Sequence, residues 1–143
     1  MSRNKSNVRT VVLGVAALLS LIPLLTSLAA AQRPTVTRTV LLQQDLNISG
    51  YTAALVAVEI PAGGREGRHT HPGTVMVYVQ EGALTLDHEG KPTKTYKAGE
   101  TFSVEPGKIH EGINNGNTPV KAVATFVVEK GKPLTTQVQK ASY

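Results

Sequence analysis

The chain has no cysteine and no tryptophan, and its aromatic residues are four tyrosines and two phenylalanines. Without cysteine there are no disulfides, no thiolate metal ligands and no cysteine nucleophile, so any metal chemistry is restricted to nitrogen and oxygen donors. With so few aromatics, a core has to be assembled from Val, Leu, Ile and Ala, a mixture that favours strands. No stretch of helical periodicity is long enough to define a helix. A basic stripe is missing too. The formal charge of +5 comes from 15 Lys and Arg against 10 Asp and Glu. Three of those cations, Arg3, Lys5 and Arg9, sit at the extreme N-terminus, and without them the balance is 12 minus 10, or +2. The remaining cations are scattered, which argues against nucleic-acid binding.

What is present begins with an export signal. Positive Arg3, Lys5 and Arg9 precede an uncharged apolar run from Val11 to Leu28, interrupted by Pro23, and Ala29-Ala30-Ala31 supplies the small residues that signal peptidase accepts. Cleavage after Ala31 would deliver the chain to the periplasm or the exterior. The alternative is an uncleaved anchor, since the run approaches the roughly 20 residues needed to span a bilayer. There is no twin-arginine pair and no cysteine for a lipid.

Beyond this segment, 35–138 reads as one all-β domain. A domain of this size buries roughly 60 to 70 % of its unfolded surface, which suits a sandwich or barrel. Brief β-prone runs are expected at Val36–Leu42, Tyr51–Ile60, Val75–Val79, Ala83–Asp87, Lys94–Tyr96, Thr101–Val104, His110–Ile113, Val120–Val128 and Thr135–Val138. Turn residues separate them at Pro61-Ala62-Gly63-Gly64, Glu81-Gly82, His88-Glu89-Gly90, Ala98-Gly99, Glu105-Pro106-Gly107 and Asn114 to Pro119. The polar end, Lys130 to Tyr143, is expected to be an edge strand or a loose tail.

The histidines carry the chemistry. In His69-Thr70-His71 one residue separates two imidazoles, so on an extended strand both point to one face with their bases about 6 to 7 Å apart. Neutral imidazole nitrogens bind metals at about 2.0 to 2.1 Å, and a third ring from another strand would supply a third corner. His110, on a separate expected strand, is the natural candidate. On its own, His-x-His reads more readily as a pair of partly exposed strand histidines.

The glycines around these histidines give them context. From Gly63 the chain runs five residues to His69, then His71, and closes at Gly82; from Gly99 it runs to Gly107, His110 and Asn114. This pattern resembles the cupin superfamily, whose motifs are G(x)5HxH(x)3-4E(x)6G and G(x)5PxG(x)2H(x)3N. The resemblance covers Gly63 to Asn114 and implies a double-stranded β-helix, or jelly-roll, barrel with His69, His71 and His110 as metal ligands. Two positions depart from the pattern. The family glutamate would fall at 75 or 76, where this chain has Val75 and Met76, and the family proline falls on Glu105, with Pro106 displaced by one. By strand parity Val75, Val77 and Val79 would share the face of the histidines and line the inner wall.

A three-histidine site suits a divalent ion such as Fe, Zn, Cu, Mn or Ni, with open positions for small ligands. The resemblance therefore implies either a metal-dependent, dioxygenase-like oxidoreductase acting on a small organic substrate, or a non-catalytic cupin module that binds a small ligand or a metal. It also implies a homodimer through edge strands, which light scattering reads directly. Among other residues, Glu66 and Glu105 lie in turns, from which either could replace the missing ligand or serve as a base, although charged turn residues are usually just hydrated. Glu111 is expected to face away from His110 into solvent, and His88 to lie on the surface. Arg65 and Arg68 flank the approach to His69 as anion-attracting or merely solvated cations. Asn114 is expected to bond the backbone of its own turn, and Asn47-Ile48-Ser49 fits the glycosylation pattern, a match that arises easily by chance. Mass spectrometry of the exported protein is expected to find a mature N-terminus at Gln32; an N-terminus at Met1 would overturn the cleavage reading.

Overall fold

The computed structural model describes residues 35–139. The expected signal segment, 1–31, lies outside them. Ten strands and no helix make up the described chain: β1 Thr37–Asp45, β2 Tyr51–Ile60, β3 His69–Thr70, β4 Thr74–Glu81, β5 Ala83–His88, β6 Lys94–Lys97, β7 Thr101–Val104, β8 His110–Ile113, β9 Val120–Glu129 and β10 Thr136–Gln137. They form two antiparallel five-stranded sheets, β1-β2-β9-β4-β7 and β10-β3-β8-β5-β6. This is the expected jelly roll.

Alternation of side chains builds the interior. In the first sheet β2 and β9 pair continuously from Tyr51 opposite Glu129 to Ile60 opposite Val120. Their even-numbered residues face inward and, apart from half-buried Val58, are buried, among them Val56, Ala124, Phe126 and Val128. One core cluster unites these with Val75. A second joins Ile60, Val79, Leu84, Leu86 and Val120 across both sheets.

Strand positions agree closely with the sequence expectation, apart from two differences. β1 runs to Asp45 rather than ending at Leu42, with a bulge between Val40 and Leu42, and all nine of its residues are exposed. As an edge strand it has one neighbour, and its hydrophobic residues find little cover. The second difference concerns the histidines. β3 ends at Thr70 and belongs to the second sheet, whereas β4 belongs to the first. Val75 and Val79 are buried and Val77 packs against the core as expected. They reach the interior because the chain crosses between sheets, not because one strand continues. Gly73 permits that crossing: a Cβ there would collide with the carbonyl oxygen of Val127 on β9.

Asn114, just beyond β8, is 1 % exposed and ties several segments together. Its Nδ2 donates to the carbonyls of Ile60 (2.9 Å), Pro61 (3.1 Å) and Thr118 (2.8 Å), and its Oδ1 accepts from the Gly116 N–H (2.9 Å). Removing the amide strands those backbone groups in an apolar setting, where each unsatisfied group costs about 1 to 3 kcal/mol. Asn114→Ala is therefore expected to lower the unfolding free energy by about 3 kcal/mol. Urea denaturation measures this, and a loss below about 1 kcal/mol would contradict the assigned role.

Candidate metal centre

The three histidines arrive from short pieces of the second sheet. His69 opens β3 and His110 opens β8, and the two are direct partners across that pair of strands. His71 follows immediately after β3. The rings of His69 and His71 have centroids 4.8 Å apart, those of His69 and His110 4.3 Å, and those of His71 and His110 4.8 Å. One ring nitrogen from each lies within 4.8 Å of the others. All three side chains are buried, at 2, 5 and 4 % exposure. The sequence reading of these residues as a single cluster thus agrees with their positions.

Hydrogen bonding sets the orientation of each ring. Nδ1 of His69 donates to the Gly67 carbonyl (2.7 Å), Nδ1 of His71 to the Leu134 carbonyl (2.7 Å) and Nδ1 of His110 to the Lys108 carbonyl (3.0 Å). A carbonyl only accepts, so each Nδ1 carries the hydrogen and each Nε2 keeps a free lone pair. Among the described residues no Nε2 of the three has a hydrogen-bond partner, and none is sealed off, because the three histidines line a cavity. Burial also keeps the rings neutral, pushing His71 and His110 down to about 4 and lowering His69 in the same direction. Three neutral, convergent lone pairs form a donor set that could hold a divalent ion. Phe126 supports this arrangement edge-on, its ring centroid 5.0 Å from that of His71.

The cavity beside the histidines is walled by Val75, Val77, Leu86, Val104, Ala124 and Phe126, with Arg38, Glu66 and Thr135 as its other polar lining. Val75 occupies the inner-wall position where the family glutamate was sought, while Met76 points out and is 49 % exposed. Neither supplies a ligand. Glu66 enters the cavity lining from the loop before β3. It pairs with Arg38 (Nη2 to Oε1, 2.8 Å), its side chain is only 13 % exposed, and it occupies the space that Gly112 leaves by lacking a Cβ. Burial raises its carboxyl while Arg38 opposes the rise. Its oxygens do not belong to the histidine cluster.

Several expectations about neighbouring residues need correction. Glu111 does face away from the cavity, but it is 6 % exposed rather than solvated. Arg65 grips it with two bonds, Nε to Oε1 (3.0 Å) and Nη2 to Oε2 (2.6 Å), and the Gly67 N–H donates to the same carboxylate (3.2 Å). The Arg65 hydrogen bond is the main reason its carboxyl lies below the usual range. This pair ties down the loop that presents His69, so Arg65 is not a free anion trap. Arg68 is likewise engaged, with Asp87 at 2.9 Å. His88 is buried at 3 % exposure, not on the surface, because β5 carries it opposite His110. Its Nδ1 donates to the Glu89 carbonyl (2.8 Å), and its Nε2 lies 2.9 Å from Glu105 Oε2. Glu105 is turned toward His88 and Lys91, whose hydrogen bond pulls its carboxyl down to about 2, and it stands apart from the metal cluster.

Two contributors escaped the sequence reading. Arg38 lies on β1 opposite Val58, on the parity that faces inward, and a cation at an inward strand position was the available signal. The other is Leu134, whose carbonyl orients His71 from 63 residues away. A backbone carbonyl has no residue-specific signature.

Comparison with known proteins agrees with this fold. A germin-like protein 1-3 of Oryza sativa subsp. japonica is 34 % identical over 86 residues, covering 57 % of this chain; the chain spans 38 % of the length of that curated relative. A conserved protein with a double-stranded β-helix domain from Klebsiella pneumoniae superposes with a TM-score of 0.60 at 20 % identity, covering 78 % of this chain and 89 % of its own. An oxalate oxidase in complex with the substrate analogue glycolate superposes at 0.54 with 26 % identity, covering 60 % of this chain and 46 % of that one. The family profile for the cupin domain matches residues 56–138, more than half of the 143 residues, and by that match the chain belongs to the cupin superfamily.

Proposed function

We propose that the chain is an exported metal-dependent oxidoreductase that acts on a small organic molecule, with a divalent ion held by His69, His71 and His110. The observation that carries this reading is the shared tautomer: three buried imidazoles spend Nδ1–H on carbonyls and keep Nε2 free. The oxalate oxidase neighbour supports oxidative chemistry in particular. When bound, such an ion supplies Lewis acidity and open positions for small ligands. The protein's own part is to aim the ring nitrogens, exclude water with Val75, Val104 and Phe126, and place Arg38, Glu66 and Thr135 around the reacting molecule. The charge of the ion is not offset by a liganding carboxylate, which favours anionic molecules.

A second reading, a binding module without turnover, is favoured by one feature. Glu66, the carboxylate among the cavity-lining residues, is tied to Arg38 and is not free to act as a base. Metal analysis of untagged protein followed by oxygen uptake with phenolic and diketone compounds separates the two. One iron per chain with oxygen consumption supports the enzyme; an iron-loaded protein inert to the whole panel would remove it and leave the binding module. His110→Ala is expected to weaken metal binding by on the order of a hundredfold or more while the circular dichroism of the barrel is retained. Metal bound as tightly by the variant as by the parent would eliminate the site.

Acidification tests the same donors. His71 and His110 bind protons near pH 4 in the folded chain, against an ordinary histidine value of 6.5. Between these values the unfolded chain holds more protons than the folded one, so protons favour unfolding as the pH falls. The metal-free protein is expected to keep its full stability above about 6.5, lose it progressively down to about 4 and level off below for these groups. Thermal unfolding across that range measures the slope, which the His71→Ala/His110→Ala double variant should flatten.

A further inference from the structure

Arg38 is the feature of the cavity that the three-histidine site does not use. A cation is placed at an inward strand position, opposite Val58 and at the edge of an apolar chamber. Its side chain is 33 % exposed, so it reaches both solvent and the cavity. Glu66 engages one nitrogen, Nη2, and among the described residues no other side-chain hydrogen bond is made by this guanidinium. Four of its five N–H groups are therefore left for another acceptor. The nearby cations Arg65 and Arg68 are committed to Glu111 and Asp87 and do not line the cavity.

The chamber sets the rest of the ligand. Its volume is about 40 Å³, against the 10 to 15 Å³ or so that one water requires, so it admits only a short body. Val58, Val77, Leu84, Leu86 and Phe102 offer that body no polar partner. A dicarboxylate whose second group reached past the histidines would press that charge against this wall uncompensated. A neutral molecule would leave the free guanidinium donors without an anion.

We infer that the cavity takes a small monocarboxylate with a short hydrocarbon body, its carboxylate held by Arg38 beside the three histidines. This deepens the metal-site reading and rests on it for the position of the carboxylate. A planar carboxylate accepts the guanidinium fork through two parallel bonds, an arrangement that an amide or alcohol cannot reproduce at equal strength. Glu66 plays the opposite part. It competes for Arg38 and repels the incoming anion, so it acts as a built-in placeholder for the ligand's head group.

The two members of the ion pair therefore act in opposite directions, which a purely structural pair would not do. The test uses the cobalt(II)-loaded chain, with cobalt stoichiometry measured first and binding of butyrate and of neutral butyramide then followed by NMR shifts of the cavity methyls. Butyrate is expected to bind about tenfold or more tightly than butyramide. Arg38→Gln should erase that preference, Glu66→Gln should strengthen butyrate binding several-fold, and both should retain one cobalt per chain. If Arg38→Gln does not fold, Arg38→Lys, which keeps the charge but loses the fork, should fall between parent and butyramide. Equal binding of butyrate and butyramide by the parent, or weakening of butyrate by both Arg38→Gln and Glu66→Gln at full cobalt occupancy, would overturn the inference and leave the metal site standing. A parent chain that binds no cobalt sinks the metal site and this inference with it, and the stoichiometry identifies that case.

Discussion

Three backbone carbonyls, those of Gly67, Lys108 and Leu134, accept the Nδ1 hydrogens of three buried histidines, and the organisation of the site follows from those bonds. Burying an imidazole without a partner for its N–H is costly, and each carbonyl offsets that cost while selecting the tautomer. The same bond turns the ring so that Nε2 faces its counterparts. Burial contributes in the same direction by disfavouring the protonated form. The jelly roll thereby produces a cluster of ready donors instead of three mutually repelling cations.

The contacts that hold these carbonyls in place are ordinary structural ones. Gly67 is tied by its N–H to Glu111, which Arg65 grips from the same loop. Leu134 comes in with the segment that forms β10, paired to β3 through Thr136 opposite Thr70 and Gln137 opposite His69. β10 is thus an edge strand, and the carbonyl just before it orients His71. Glu111, read from the sequence as a surface carboxylate, instead stabilises the loop that delivers His69.

The apolar wall gives the site its character. With Val75 at the inner-wall position where the family carries a carboxylate, the negative charge near the histidines comes from Glu66, and Arg38 offsets it. A carboxylate paired with a guanidinium is a different chemical object from a metal ligand. It leaves an ion's charge undiminished and puts a cation within reach of whatever enters.

Composition and local pattern were enough to determine the strand content and the nearly complete list of strands, and the resemblance of the glycine and histidine spacing to the cupin motifs singled out His69, His71 and His110. Turn glycines and alternating Val, Leu and Ala leave the chain few other ways to bury its apolar residues, and parity along a strand is a local property. Two of the three orienting carbonyls, Gly67 and Lys108, sit two residues before the histidine they hold, so they too are local. Tertiary structure alone decided the rest: the sheet crossing at Gly73, the burial of His88 and Glu111, the Leu134 bond to His71, and the meeting of Arg38 with Glu66 across 28 residues. Each of these depends on which strands become neighbours when the two sheets close, a long-range choice that no short window of sequence contains.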